Sequence, residues 1–432
     1  MRFVFSLMWV MVCAVALDAK SLSVPVACEG AILINGKTGA VLYSKNAHTP
    51  GYPASITKIA TVLYAIKMYK NRLDERVEAK QEAIASISTS AKRQSNYRSP
   101  AYWLETNSCH VGIKRGEEFA LRDLLYLTLV ASANDAANVV AQHVGGTIPK
   151  FMERLNAYLK EIGCKDTYFM NPHGLHHPDH KTTAFDMALI ARHAMQEPIF
   201  REICKTVRYV CPETNLQPER AVLQTNLLLR KGAYHYDKAI GIKTGWNSDA
   251  GKSLVGAAED GDRFLIAVVL GGATNQERFG DCIKMFDAAF QEPKMRKTLL
   301  KEGPQTLTTS IAGAREKIST TLPTGLYYDF YPSEDVPVKA RVSWQIPSLP
   351  IASGTRVGTV RIVDNQGTIL QETPLLAADE VHPSSWYRFK AFFGNEERMR
   401  KVLFFVVVGT ALLALFFIRH RRKRKSSKKI FF

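Results

Sequence analysis

Apolar residues follow four different patterns along this chain. Behind Met1-Arg2, residues 3–17 are a nearly unbroken apolar run ending near the small residue Ala19. That is the layout of a secretory signal peptide, so residues 1–19 are expected to stand outside the fold. From Ala31, the run Ala31-Ile32-Leu33-Ile34 meets Asn35-Gly36 and Thr38-Gly39 and continues as Val41-Leu42-Tyr43, which predicts two strands around a hairpin. Pro53 then opens a helix in which Ile59, Val62, Leu63 and Ile66 recur at i, i+3, i+4 and i+7. The same reading predicts helices over Leu121–Val130, Asp135–Val144, Ile148–Ile162 and Thr183–Met195, with late strands over Ser253–Ala258 and Phe264–Leu270. Residues 20–295 are therefore expected to form an α/β domain, a sheet built from strands at both ends of the segment with a helical cluster between them.

After Phe290 the period shortens. Val336, Val338, Ala340, Val342 and Trp344 alternate with polar positions, and Val357–Val363 leads through Asp364-Asn365-Gln366-Gly367 into Thr368–Leu370. Strand, turn and strand follow from that pattern, so residues 296–380 are expected to form a small β-rich domain. Residues 381–401 form an amphipathic juxtamembrane segment: Trp386, Phe389, Phe392 and Phe393 share a helical face, with Arg388, Lys390 and Arg398 elsewhere. Both an interfacial helix and an aromatic belt above a span fit this pattern. Residues 402–418 are uncharged and apolar, at the short end of the roughly 17 to 25 residues that cross a bilayer.

Composition changes this picture little, but the location of charge matters. With 46% apolar and 22% charged residues, the 432-residue chain is no disordered, collagen-like or coiled-coil protein. The formal charge is +17, and eight of the 57 basic residues lie in the tail 419–432, which has no acid; the other 49 exceed the 40 acidic residues by nine. A basic tail beside a span needs no nucleic acid to explain it. By the positive-inside rule it stays in the cytoplasm, with the large N-terminal part facing the periplasm or cell exterior. Six cysteines follow the signal: Cys28, Cys109, Cys164, Cys204, Cys211 and Cys282. Export permits disulfides among them, including a Cys204–Cys211 hairpin closure, and buried free thiols fit as well.

Three short segments carry candidate chemistry. Ser55-Ile56-Thr57-Lys58 puts a hydroxyl and an amine on one helical face, where a desolvated lysine can take the serine proton. Ser132-Ala133-Asn134 places a hydroxyl and an amide at i and i+2, facing one cleft or simply capping a helix. Lys243-Thr244-Gly245 offers a cation and a hydroxyl on a strand, with a glycine that lets a substrate backbone approach. Alone, each of the three also reads as ordinary local structure. The histidines His173, His176, His177 and His180 lack the glutamate of a zinc peptidase motif, so they read as a structural loop and no metal is expected.

In this order and in an exported chain, the three segments together resemble the motif trio of penicillin-binding proteins and class A β-lactamases. Further matches are Pro53-Ala54, Asp135-Ala136 after the second motif, Asn171-Pro172-His173-Gly174-Leu175, Thr183-Ala184, Asp186-Met187-Ala188, Asn226-Leu227-Leu228, Gly241-Ile242, Val357-Gly358-Thr359 and Pro374-Leu375. Over residues 28–395 the chain resembles the low-molecular-weight penicillin-binding proteins that are D-alanyl-D-alanine carboxypeptidases.

The resemblance implies a serine β-lactamase/DD-peptidase-like catalytic domain followed by a β-rich domain. It also implies that Ser55 attacks the D-alanyl-D-alanine carbonyl of a peptidoglycan stem peptide and Lys58 takes its proton. Ser132 and Asn134 would relay protons and hold the peptide, Lys243, Thr244 and Arg278 would bind the terminal carboxylate, and backbone N–H groups of Ser55 and Trp246 would form the oxyanion hole. No cofactor is implied, and β-lactams would act as covalent inhibitors. An exposed surface charge is the plain alternative for Arg278. Two departures stand out: Trp246-Asn247 follows the Lys-Thr-Gly, which predicts a narrower mouth and altered deacylation, and the full span and basic tail predict firm anchoring. A β-lactamase would need a deacylating glutamate that the segment around Asn171 lacks. Endopeptidase and transpeptidase activities use the same residues and stay open, and a noncatalytic wall-binding role would not need Ser55 or Lys58.

Overall fold

The computed structural model describes residues 10–12, 20–334, 338–364, 367–394 and 396–426. Apart from Val10–Val12, the expected signal segment lies outside the described residues, as do the tail beyond Ser426, Val336, and the turn residues 365 and 366. The chain divides into two compact units, one holding Asp18–Met295 with Phe330–Asp335, the other the described residues of Met1–Leu17, Arg296–Asp329 and Val336–Phe432.

The first unit is built on a five-stranded antiparallel sheet of β1 (Gly30–Asn35), β2 (Val41–Lys45), β3 (Ala239–Asn247), β4 (Gly251–Asp260) and β5 (Arg263–Gly272), in the order β3-β4-β5-β1-β2. Antiparallel sheets often leave one face to water. Here both faces are covered, which is why β1 is buried along its whole length. Alternation along β5 sorts its residues between two cores: Leu265, Ala267 and Val269 join Ala31, Leu33 and Phe286, while Ile266 and Val268 join Ile32, Ile34 and the helical cluster. Phe286 belongs to a terminal helix, Asn275–Phe290, that lies on the first of these faces.

The helical cluster surrounds α1 (Lys58–Tyr69), whose residues Lys58 to Ile66 are all buried, so it is a central helix rather than an amphipathic surface one. Around it lie α2 (Leu121–Leu129), α3 (Asn134–Gly145), α4 (Ile148–Glu161), α5 (Ala184–Ala194) and α6 (Pro198–Lys205); the terminal helix Asn275–Phe290 is α7. Cys204 lies in α6 and Cys211 on the strand Arg208–Cys211, and all six cysteines are free thiols. The Cys204–Cys211 bridge therefore does not form.

A buried ion cluster completes this unit. Arg263, 3% exposed, donates to Glu334 at 2.7 Å and Glu292 at 2.9 Å, and stacks on Tyr331 at 3.7 Å. Burying a cation is tolerable only with such partners.

The second unit holds a six-stranded sheet of β6 (Gly303–Thr309), β7 (Ile318–Leu322), β8 (Lys339–Trp344), β9 (Arg356–Val363) and β10 (Ile369–Ala377), in the order Val10–Val12, β8, β9, β10, β7, β6. The predicted alternation holds on β8, where Val342 and Trp344 enter a core with Val360, Ile362 and Leu375. Helix α8 (Ser385–Phe393) exposes Trp386, Phe389, Phe392 and Phe393. Helix α9 (Glu396–Ser426) contains the 25-residue segment Glu397–Arg421, within which an 18-residue window has a mean hydropathy of 2.6 and is not buried, long and apolar enough to cross a membrane.

Candidate active site

The three motifs meet where the edge strand β3 abuts the turn before α1. Pro53 does not open the α-helix directly. Residues Ala54–Thr57 form a 3₁₀ turn and α1 begins at Lys58, because Ala54 is held at φ 51°, a left-handed conformation rare outside glycine. The tighter turn suits the chemistry. With three residues per turn, side chains at i and i+3 eclipse, and Lys58 Nζ lies 2.9 Å from Ser55 Oγ.

Two glycines let other segments close on this turn. A Cβ on Gly245 would stand 2.7 Å from the Pro53 carbonyl oxygen and 3.2 Å from the Ser55 nitrogen, so β3 can lie this close only without a side chain there. Gly174, at φ 89°, brings the Asn171–Leu175 loop against Ala54, where a Cβ would meet the Ala54 oxygen at 1.9 Å.

Lys58 is fully buried, with no carboxylate at hydrogen-bond distance among the described residues. Its Nζ contacts three oxygens: Ser55 Oγ, Asn134 Oδ1 at 2.6 Å and the His173 carbonyl at 2.7 Å. Burial, and then the charge of Lys243, hold its pKa well below the ordinary lysine value. In its unprotonated form the amine has two N–H donors and one lone pair. Asn134 Oδ1 and the His173 carbonyl can only accept, so they take the two N–H groups, and the lone pair is left for the Ser55 hydroxyl proton.

Ser132 sits between α2 and α3 at φ 62°, 6% exposed, and its hydroxyl makes no hydrogen bond with any described residue. Such a backbone is strained for serine. Two residues on, the Asn134 N–H donates to the Cys109 carbonyl at 2.8 Å. Cys109 is the exposed one of the six thiols.

Lys243 and Thr244 share Thr225. Thr244 Oγ1 donates to Thr225 Oγ1 at 2.8 Å, and Lys243 Nζ reaches the same oxygen at 3.5 Å and the Thr244 carbonyl at 2.9 Å. Burial lowers the Lys243 pKa to about 7, with Arg278 pushing the same way. Arg278, in the first turn of α7, is buried rather than an exposed surface charge: its Nη1 donates to the Gly245 carbonyl at 3.1 Å, and its Nε is buried without a hydrogen-bond partner among the described residues. Burial brings its pKa down to about 10. Trp246 is 64% exposed, its ring 5.4 Å from the Lys252 ammonium.

Ser55, Lys58, Asn134 and Gly245 are thus brought into one cluster, with Lys243, Thr244 and Arg278 along the same strand edge. Sequence reasoning missed two contributors, Thr225 and the His173 carbonyl. Both lie in or next to segments that carried the family resemblance, yet a lone threonine and a backbone oxygen leave no signal in a residue pattern. The loop histidines serve structure: His180 Nδ1 accepts the Met170 N–H at 3.0 Å and its Nε2 pairs with Thr57 Oγ1 at 2.9 Å. Burial holds His180 neutral, its pKa lowered to about 3.

Comparison with known proteins agrees with this geometry. Residues 17–274 match the family described as D-alanyl-D-alanine carboxypeptidase. The chain is 29% identical over 377 residues to D-alanyl-D-alanine carboxypeptidase DacF of Bacillus subtilis, covering 84% of this chain and 87% of that one. It is 30% identical over 388 residues to DacD of Salmonella typhimurium, covering 85% and 90%. Among solved structures, penicillin binding protein 5 from Haemophilus influenzae has the same fold, with a TM-score of 0.55 at 24% identity over 84% of this chain and all of that one. A serine hydroxyl, a buried amine and a strand-borne lysine gathered on this α/β fold, together with a family match over residues 17–274, lead to one assignment: the chain belongs to the D-alanyl-D-alanine carboxypeptidase family.

Proposed function

We infer that the enzyme removes the terminal D-alanine from peptidoglycan stem pentapeptides through an acyl-enzyme on Ser55. The observation that carries this reading is the trio of oxygens around Lys58, which leaves an uncharged amine one free lone pair, aimed at the Ser55 hydroxyl. Lys58 takes the proton as Ser55 Oγ forms its bond to the penultimate D-alanine carbonyl. Backbone N–H groups of Ser55 and Trp246 stabilise the developing oxyanion. The proton passes to the leaving D-alanine amine with Ser132 as relay, the C–N bond breaks, and water then hydrolyses the ester. Lys243 and Thr244 hold the substrate carboxylate. Arg278, bound to the Gly245 carbonyl, fixes the strand that carries them. A β-lactam presents a strained amide in place of the D-alanyl bond, so it acylates the same hydroxyl.

The same reading places the catalytic unit outside the cytoplasmic membrane, with α9 as its anchor and the basic tail in the cytoplasm; the length and hydropathy of the Glu397–Arg421 segment support it. Incubation with a stem pentapeptide tests the activity. Free D-alanine and an equal amount of the tetrapeptide acid are expected, whereas release of D-alanine with the peptide transferred to an added amine instead of to water would make the enzyme a transpeptidase.

A further inference from the structure

The second unit contains a cavity of about 660 Å³ lined by Arg315, His382, Ser384, Ser385 and Arg388, among others. Backbone pairing fixes its walls. The Arg315 N–H donates to the His382 carbonyl at 2.9 Å, and the Ser384 N–H donates to the Gly313 carbonyl at 2.8 Å. The Tyr387 ring packs where a side chain on Gly313 would stand, 2.1 Å from a Cβ built there, so the start of α8 is seated against this segment.

The charges in this cavity are unspent. Arg315 and Arg388 form no ion pair and no side-chain hydrogen bond with any described residue. A carboxylate is nearby, on Glu380, 3.6 Å from His382 Nδ1, and it makes no ion pair with either arginine. Two planar guanidinium forks and the Ser384 and Ser385 hydroxyls thus face one space, a donor set suited to the oxygens of a phosphate. Immediately after it comes the exposed aromatic face of α8, where Trp386 stacks on Phe389 at 5.7 Å and Phe389 meets Phe393 at 4.4 Å. Rings of this kind settle at the headgroup level of a bilayer.

We propose that this cavity binds the phosphate headgroup of an anionic phospholipid, held by Arg315 and Arg388. The proposal rests on the reading of α9 as a membrane anchor. A phosphate tethered in the bilayer meets the cavity at the depth at which α8 lies, and two guanidinium groups favour a headgroup of net negative charge over a zwitterionic one.

Calorimetric titration of the full-length protein in neutral detergent with dihexanoyl phosphatidylglycerol, inorganic phosphate and dihexanoyl phosphatidylcholine tests it. Saturable binding of phosphatidylglycerol is expected, at least about tenfold tighter than either of the others. An R315Q/R388Q variant should lose about tenfold or more of that affinity while its acylation by labelled penicillin stays unchanged. Equal affinity for inorganic phosphate would overturn the lipid assignment, and wild-type affinity in R315Q/R388Q would overturn the site. Flotation on phosphatidylcholine vesicles after carbonate treatment reports α9 separately. A protein that floats but binds no phosphatidylglycerol refutes the cavity proposal alone, whereas one that binds it but does not float refutes the anchor and leaves the cavity standing.

Discussion

Lys58 Nζ stands 2.9 Å from Ser55 Oγ while its other two contacts are oxygens that can only accept. Proton transfer from Ser55 therefore needs no rearrangement of the lysine. A labelled penicillin should modify the tryptic peptide that carries Ser55. Lys58→Ala should slow acylation by roughly 100- to 10,000-fold, the usual worth of a positioned base. Rapid-quench acylation rates check this, and an adduct on Ser132 would refute the assignment.

On the proposal that Lys243 holds the substrate carboxylate, its titration sets the pH response. With a pKa of about 7 it carries charge below that pH and loses it above. For a peptide ending in a carboxylate, kcat/KM should fall as pH rises through about 7, relative to the same peptide capped as an amide. In Lys243→Met the two profiles should run parallel. An unchanged ratio across pH 6 to 9 in the wild type would remove the carboxylate role.

The same burial has a cost in stability. Between a folded pKa of about 7 and the unfolded value of 10.5, the unfolded chain holds a proton on Lys243 that the folded one has lost. Stability from this group therefore rises with pH across that window, by at most about 1.4 kcal/mol per unit. Lys243→Met should unfold at a higher temperature than wild type at pH 7, with the gap narrowing towards pH 10. Thermal scans at three pH values measure it.

Gly245→Ala should be severe for a small change. Its methyl would meet the Pro53 carbonyl oxygen at 2.7 Å and push β3 from Ser55. Displacements near 1 Å cost roughly 100-fold in rate, so kcat/KM should drop by about that much while circular dichroism stays that of the wild type.

Deleting residues 402–432 should turn a carbonate-resistant membrane protein into one released by salt or carbonate, held at most by the aromatic face around Trp386. A reporter fused after Phe432 should be found in the cytoplasm. Its appearance outside would reverse the orientation.

Much of this fold can be read from the period of apolar residues, because a long periodic segment such as α4 buries a single stripe. Other features depend on contacts between distant residues. The Thr274-x-x-Glu277 capping signature of α7 is present, and Thr274 accepts the Glu277 N–H at 3.1 Å, yet apolar period alone passes over that helix. The left-handed Ala54 that turns a helix start into a 3₁₀ turn is imposed by packing, including the approach of Gly174. Arg278 looks like any surface arginine until β3 offers it a carbonyl. Of the site, the motif residues were legible, but Thr225 and the His173 carbonyl were not, since their roles come from geometry and not from residue type.

The partners of Arg263 also set an order of events. Glu334 and Tyr331 lie in the short returning segment Phe330–Asp335 that belongs to the first unit. While the chain is being made, the catalytic sheet is finished well before these residues emerge, and until they do Arg263 has only Glu292 as an acidic partner. A buried cation with part of its compensation missing is less stable than one fully paired. The catalytic unit therefore reaches full stability only after synthesis has entered the β-rich segment, and a fragment ending at Met295 would be left in the unfinished state.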